Sequence, residues 1–189
     1  MASNFCVDVE TVGLESTCIV LSLAIVHFSF DEEFTYDELI KRSLFIKLNA
    51  KEQASAKRSV TKSTLDFWND QSEEVRALAI KPHPNDMSVA TAFGELAAYI
   101  DKHDGSDAMF WQRGTLDSTS LESLARTFEI APVTNYNNWM DVRTAIRCLK
   151  ESCTKRAYCT VPGFDPIVVN KHHPVDDICY DVMQLRYGI

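Results

Sequence analysis

Apolar and polar positions alternate with a period of two near the start of the chain, Phe5, Val7 and Val9 against Cys6, Asp8 and Glu10. Successive strand side chains face opposite sides, so the pattern predicts a β-strand, which Gly13 closes. Cys18 to Phe30 is a nearly continuous apolar run rich in β-branched residues and predicts a central strand. Leu44, Ile46 and Leu48 alternate again and predict a third. Short connections between the three predict an antiparallel meander.

Helical signals follow. Leu65, Phe67 and Trp68 lie within a helix over Thr64 to Gln71. Ser72 before Glu73 and Glu74 has the form of an N-cap with acids in the first turn. Ser88 is a cap candidate for a helix whose Phe93, Leu96, Ala97 and Ile100 share one face. The Pro-containing stretch Lys81 to Asn85 reads as a loop. Ala108 to Trp111 predicts a fourth strand, and Leu121, Leu124, Ala125 and Phe128 mark the helix after it. Trp139 to Val142 predicts a fifth strand leading into a helix through Leu149. Pro174 suits the first turn of a last helix, with Val175, Ile178, Val182 and Leu185 inward. The order predicts an α/β fold: a mixed sheet of about five strands, the first three antiparallel, flanked by helices.

Composition narrows the class. The chain has 189 residues, enough for one domain with one large core, and no linker or repeat divides it. Ser22, His27 and Ser29 interrupt the longest apolar run, which is too short to cross a bilayer. The first residues show no signal peptide. Both points predict a cytoplasmic protein with no membrane partner. The net charge of -8 argues against a broad nucleic-acid-binding surface, because phosphate contacts need Lys and Arg. Acids gathered to hold cations would contribute to that sum, and an enzyme needs only a local basic rim. Of the six cysteines, Cys148, Cys153 and Cys159 lie close together upstream of His172 and His173, which leaves a structural zinc open. Their spacing is not that of a zinc knuckle, and free thiols are the alternative.

Three short stretches carry candidate chemistry. Asp8 and Glu10, two apart on the first strand, share its acidic face near the C-terminal end, where open α/β sheets place ligands. The pair also reads as a solvated edge. Asp117 opens a helix, where capping is an ordinary role. His172 and Asp177 lie at the start of the last helix, five residues apart, with His173, Asp176 and Asp181 as competitors. Taken together, four carboxylates can hold two divalent ions about 4 Å apart for in-line displacement at phosphorus. A nearby His can take the proton, because its pKa lies near working pH. Oxygen donors of this kind favour magnesium or manganese.

These residues resemble the three motifs of the DEDDh branch of 3'-to-5' exonucleases, the proofreading-exonuclease-like and ribonuclease T-like proteins of ribonuclease H-like fold. The match runs through Asp8-Val9-Glu10-Thr11-Val12-Gly13, Asp117, and His172 with Asp177. The stretches Thr61 to Trp68, Trp111 to Gly114 and Trp139 to Thr144 extend it nearly end to end. They are most similar to the branch containing phage exonuclease A and the mycobacterial-type exoribonucleases. The resemblance implies Asp8, Glu10, Asp117 and Asp177 as ligands of two Mg2+ or Mn2+ ions, and His172 as general base. It implies a terminal nucleotide packed on the backbone of Thr11, Val12 and Gly13. Trp68 becomes a candidate to stack on a base, or else a core residue, and Arg113 a candidate to pair with a phosphate. Asp141 and Arg143 look like structural partners of the site. Leu116 precedes Asp117 where the family commonly has an aromatic, and Asp107 is the nearest alternative. The implied activity is release of nucleoside 5'-monophosphates from a single-stranded 3' end or overhang of DNA or RNA, with a homodimer implied by some relatives. The alternative is a catalytically silent nucleic-acid- or protein-binding module of the same fold.

Overall fold

The computed structural model describes residues 3–103 and 105–189. The elements run β1 (Asn4–Thr11), β2 (Val20–Phe28), α1 (Tyr36–Arg42), β3 (Leu44–Lys47), α2 (Ala50–Ser55), α3 (Lys62–Asn69) and α4 (Glu73–Ala79). They continue with α5 (Val89–Lys102), β4 (Met109–Gln112), α6 (Leu116–Thr127), β5 (Trp139–Asp141), α7 (Val142–Leu149) and α8 (Pro174–Tyr187). The five strands form one sheet in the order β3-β2-β1-β4-β5. β1–β2 and β2–β3 are antiparallel, whereas β4 and β5 run parallel to β1. This mixed α/β sheet is the predicted one and is consistent with a ribonuclease H-like exonuclease fold.

Both faces of the sheet are covered, so β1 is buried on both sides along its first half. Phe5, Val7 and Val9 pack with Leu23 and Ile25 against Phe93, Leu96, Leu121 and Leu124 from α5 and α6. On the opposite face Cys6, Ala24 and Val26 meet Leu39 of α1, Ile146 of α7, and Ile178 and Val182 of α8. The polar face of β1 is therefore a second core face at Cys6 and becomes acidic only at Asp8 and Glu10. Two helices were not anticipated. Thr35 forms a capping box with Glu38 at the start of α1, and Asn49 caps α2. The connection from β2 to β3 is thus a helical excursion, although the pairing is antiparallel as expected. Ser72 and Ser88 do accept from Val75 N and Thr91 N, as N-caps should.

One mismatch of strand lengths positions the chemistry. β1 pairs with β4 only from Asn4 to Cys6, so its C-terminal half outruns β4 and leaves a free edge. The chain turns at Gly114, at φ 99°, and α6 begins beside that edge. Asp117 accepts a hydrogen bond from Val9 N at 3.2 Å, satisfying a backbone group that no strand reaches.

Candidate active site

Asp8 and Glu10 lie on the β1 face that α8 crosses. Asp177, in the first turn of α8, and Asp181, one turn later, share the α8 face turned toward them. Asp117 approaches from the free edge of β1. Burial, followed by repulsion from Asp117, Glu10 and Asp177, holds the Asp8 carboxyl well above the usual carboxylate range. Burial and then Asp177 and Asp117 do the same for Glu10. Burial is also the main cause that pushes Asp117 and Asp177 up to about 7, with Asp181 adding to both. Oδ2 of Asp8 is buried without a hydrogen-bond partner.

Arg113 and Arg143 offset part of this crowding. Arg113 is committed to protein partners: Nε lies 2.9 Å from both Asp181 oxygens, Nη1 reaches Arg156 O and Ala157 O, and the guanidinium lies over Tyr158. The placement makes Arg113 a brace for Asp181. Ligand atoms of Glu10, His172 and Asp177 lie within 4.8 Å of one another, close enough to share a metal ion. Oxygen donors crowded together, one of them unpartnered and buried, fit a hard divalent cation. Among the described residues this is the one such cluster, and no cysteine belongs to it.

His172 occupies a turn ahead of α8 with φ of 65°. Its backbone N donates to Asp177 Oδ2 at 3.1 Å, and its ring meets the Phe67 ring edge-on, centroids 5.1 Å apart. Burial, then Lys171, pushes its pKa down, which favours the neutral imidazole at neutral pH. His173 turns elsewhere: it stacks on Phe45 and lies 2.6 Å from Asp176.

The segment after Glu10 is held by its backbone. Thr11 O accepts from Trp68 Nε1 at 2.9 Å, Val12 N donates to Ile19 O, and Val12 O accepts from Thr61 N. A Cβ on Gly13 would lie 1.9 Å from Cys18 Sγ and 2.8 Å from Thr61 Oγ1, so a side chain there would force both to shift. Trp68 is 1% exposed and lies with Val12, Ile19 and Leu21. Of the two readings the sequence leaves open for Trp68, its burial fits the core residue. Phe67, 40% exposed and against His172, is the open ring that sequence reasoning passed over.

The stretch Trp111 to Gly114 also resolves into separate tasks. Trp111 donates to Asn4, Gln112 accepts the Ser118 N–H that the N-cap Thr115 leaves unserved, and Gly114 N donates to Asp141. Asp141 in turn caps α7, so it is a structural partner of the site. Asp107 precedes β4 in a 3-10 turn, at the end of β1 away from the acids. A cleft of about 430 Å³ opens over Asp8, His172 and Asp177, with Arg156, Lys171 and Tyr158 on its walls. A larger groove of about 760 Å³ lies on the side of Phe34, Phe164 and Tyr187 and contains none of the clustered acids. Asp8, Asp177, Asp181 and His172 therefore border the smaller cleft.

A family model of 3'-5' exoribonuclease Rv2179c-like domains matches residues 3–188. The chain belongs to this family. An exodeoxyribonuclease of Enterobacteria phage T4 is 30% identical over 210 aligned positions, covering 98% of this chain and 88% of the relative. Family membership makes the chain a 3'-5' exonuclease, a hydrolase of phosphodiester bonds. An acidic, cation-seeking cluster at the floor of a cleft with basic walls suits such an enzyme. Among the described residues no helix is long and apolar enough to cross a membrane.

Proposed function

We propose that this exonuclease is of the DEDDh type, with Asp8, Glu10, Asp117 and Asp177 holding two divalent cations, Mg2+ or Mn2+, and His172 as general base. The observation that carries the reading is the meeting of Glu10, His172 and Asp177 ligand atoms within 4.8 Å, beside the unpartnered Asp8 oxygen. Such ions, when bound, make water a better nucleophile and offset charge on the scissile phosphate. The chain's own residues supply the rest. The unprotonated imidazole nitrogen of His172 takes the proton from the attacking water. The water oxygen bonds to phosphorus, the bond to the 3' oxygen of the preceding nucleotide breaks, and a nucleoside 5'-monophosphate leaves. The backbone of Thr11, Val12 and Gly13 supports the terminal nucleotide, Phe67 offers its ring to a base, and Lys171 and Arg156 face the phosphates.

The family description speaks of RNA and the phage relative's of DNA. We infer a single-stranded 3' end as the substrate class, and matched DNA and RNA oligonucleotides decide the sugar. Asp8→Asn is expected to abolish magnesium- or manganese-dependent trimming of a 5'-labelled oligonucleotide while the protein stays folded. Intact trimming by that variant would sink the assignment.

A further inference from the structure

We propose that Asp176, which nothing in the catalytic reading uses, is a positioning residue that holds His172 in its working conformation. The proposal rests on the reading of His172 as the base.

Asn170 to His173 form a tight turn closed by a hydrogen bond from His173 N to Asn170 O at 3.1 Å. His172 lies inside it at φ 65°, a left-handed conformation that a side-chain-bearing residue keeps only when its surroundings impose it. Asp176 grips both corners of that turn. Its Oδ1 accepts from Asn170 N at 3.2 Å and from Asn170 Nδ2 at 3.3 Å. Its Oδ2 lies 2.6 Å from His173 Nδ1. The carboxylate is itself fixed, because Tyr36 of α1 donates its hydroxyl to Oδ1 at 2.7 Å. Asp176 is 7% exposed. One buried carboxylate thus fastens the His-bearing turn to α8 and, through Tyr36, to α1. The adjacent Asp177 faces the acid cluster, so successive residues of one helical turn divide the tasks. Outer partners that orient a site residue commonly cost 10- to 100-fold when removed.

The test measures kcat, KM and Mn2+ affinity for wild type, Asp176→Ala, Asp176→Asn, His172→Ala and the double variant. Asp176→Ala is expected to lower kcat about 10- to 100-fold, with KM and Mn2+ affinity little changed. Asp176→Asn keeps an acceptor for Tyr36 and Asn170 and is expected to recover part of the loss. Asp176→Ala in the His172→Ala background is expected to cost nothing more, because Asp176 acts through His172. Additive losses in the double variant, or wild-type kcat in Asp176→Ala, overturn the clamp. Unchanged kcat in His172→Ala removes the base reading and the clamp with it, whereas loss there with none in Asp176→Ala removes the clamp alone. Should Asp176→Ala fail to fold, Tyr36→Phe takes its place: a several-fold kcat loss absent from the His172→Ala background supports the clamp, and an unchanged or additive result overturns it.

Discussion

Phe67 and Trp68 are neighbours on α3 with opposite surroundings. Trp68 is sealed beneath the end of β1 and β2 and donates its indole N–H to Thr11 O, while Phe67 is 40% exposed and lies against the His172 ring. Nothing in the local pattern separates them, since Leu65 beside them is apolar too, and the rotation of α3 is set by what it packs on. Substitutions should therefore divide their effects. Trp68→Phe leaves Thr11 O without its donor and is expected to cost about 1–3 kcal/mol of stability in denaturant unfolding. Phe67→Ala is expected to leave stability nearly unchanged and to raise KM for single-stranded oligonucleotides about tenfold, in line with the roughly 1–3 kcal/mol that base stacking supplies. A KM unaffected by Phe67→Ala would remove its assignment to the substrate.

At the scale of elements, the overhang of β1 past β4 brings an acid that reads as a helix cap beside Asp8. Asp117 does not cap α6; it satisfies Val9 N and stands beside Asp8. The two roles can be separated. Asp117→Asn keeps an acceptor for Val9 N and removes a crowded charge, so the metal-free protein at neutral pH is expected to be as stable as wild type or more so. Asp117→Ala orphans the same N–H and is expected to lose about 1–3 kcal/mol. Both variants should lose trimming activity. Equal stability loss in both, measured by chemical unfolding in chelator, would mean that Asp117 does not seal the edge. The helices α1 and α2 escaped sequence reading because they are short, at seven and six residues, and show no long apolar period.

For the whole molecule, folding brings together acids from β1, α6 and α8 that are far apart in the unfolded chain. Asp117 and Asp177 titrate near 7 in the fold against about 4 when unfolded. Between those values the native state binds more protons, so the metal-free protein is expected to lose stability as pH rises from about 4 to 7. His27, His103 and His172, held low, work in the opposite direction, against five raised acids, Asp8, Glu10, Asp117, Asp177 and Asp181. Divalent cations should reverse the trend: Mn2+ affinity should strengthen as pH rises through about 7, with protons released on binding. Thermal melts against pH with chelator and with Mn2+ check both parts, and a metal-free Tm that climbs from pH 4 to 7 would contradict the crowding.

Local chemistry by itself determined the strands, most helix starts and the acid pairs, because side-chain period, capping residues and short spacings act within a few residues. That Asp8, Glu10, Asp117, His172 and Asp177 form one site was implied by the resemblance of their order to the exonuclease motifs. Only the tertiary structure decided which neighbours meet. It put Arg113 on Asp181, Trp68 in the core with Phe67 against His172, and Asp176 behind His172. Those outcomes depend on strand lengths, helix rotation and packing between elements more than a hundred residues apart, as in the bond from Tyr36 to Asp176. Spacing along a chain carries no record of such distances.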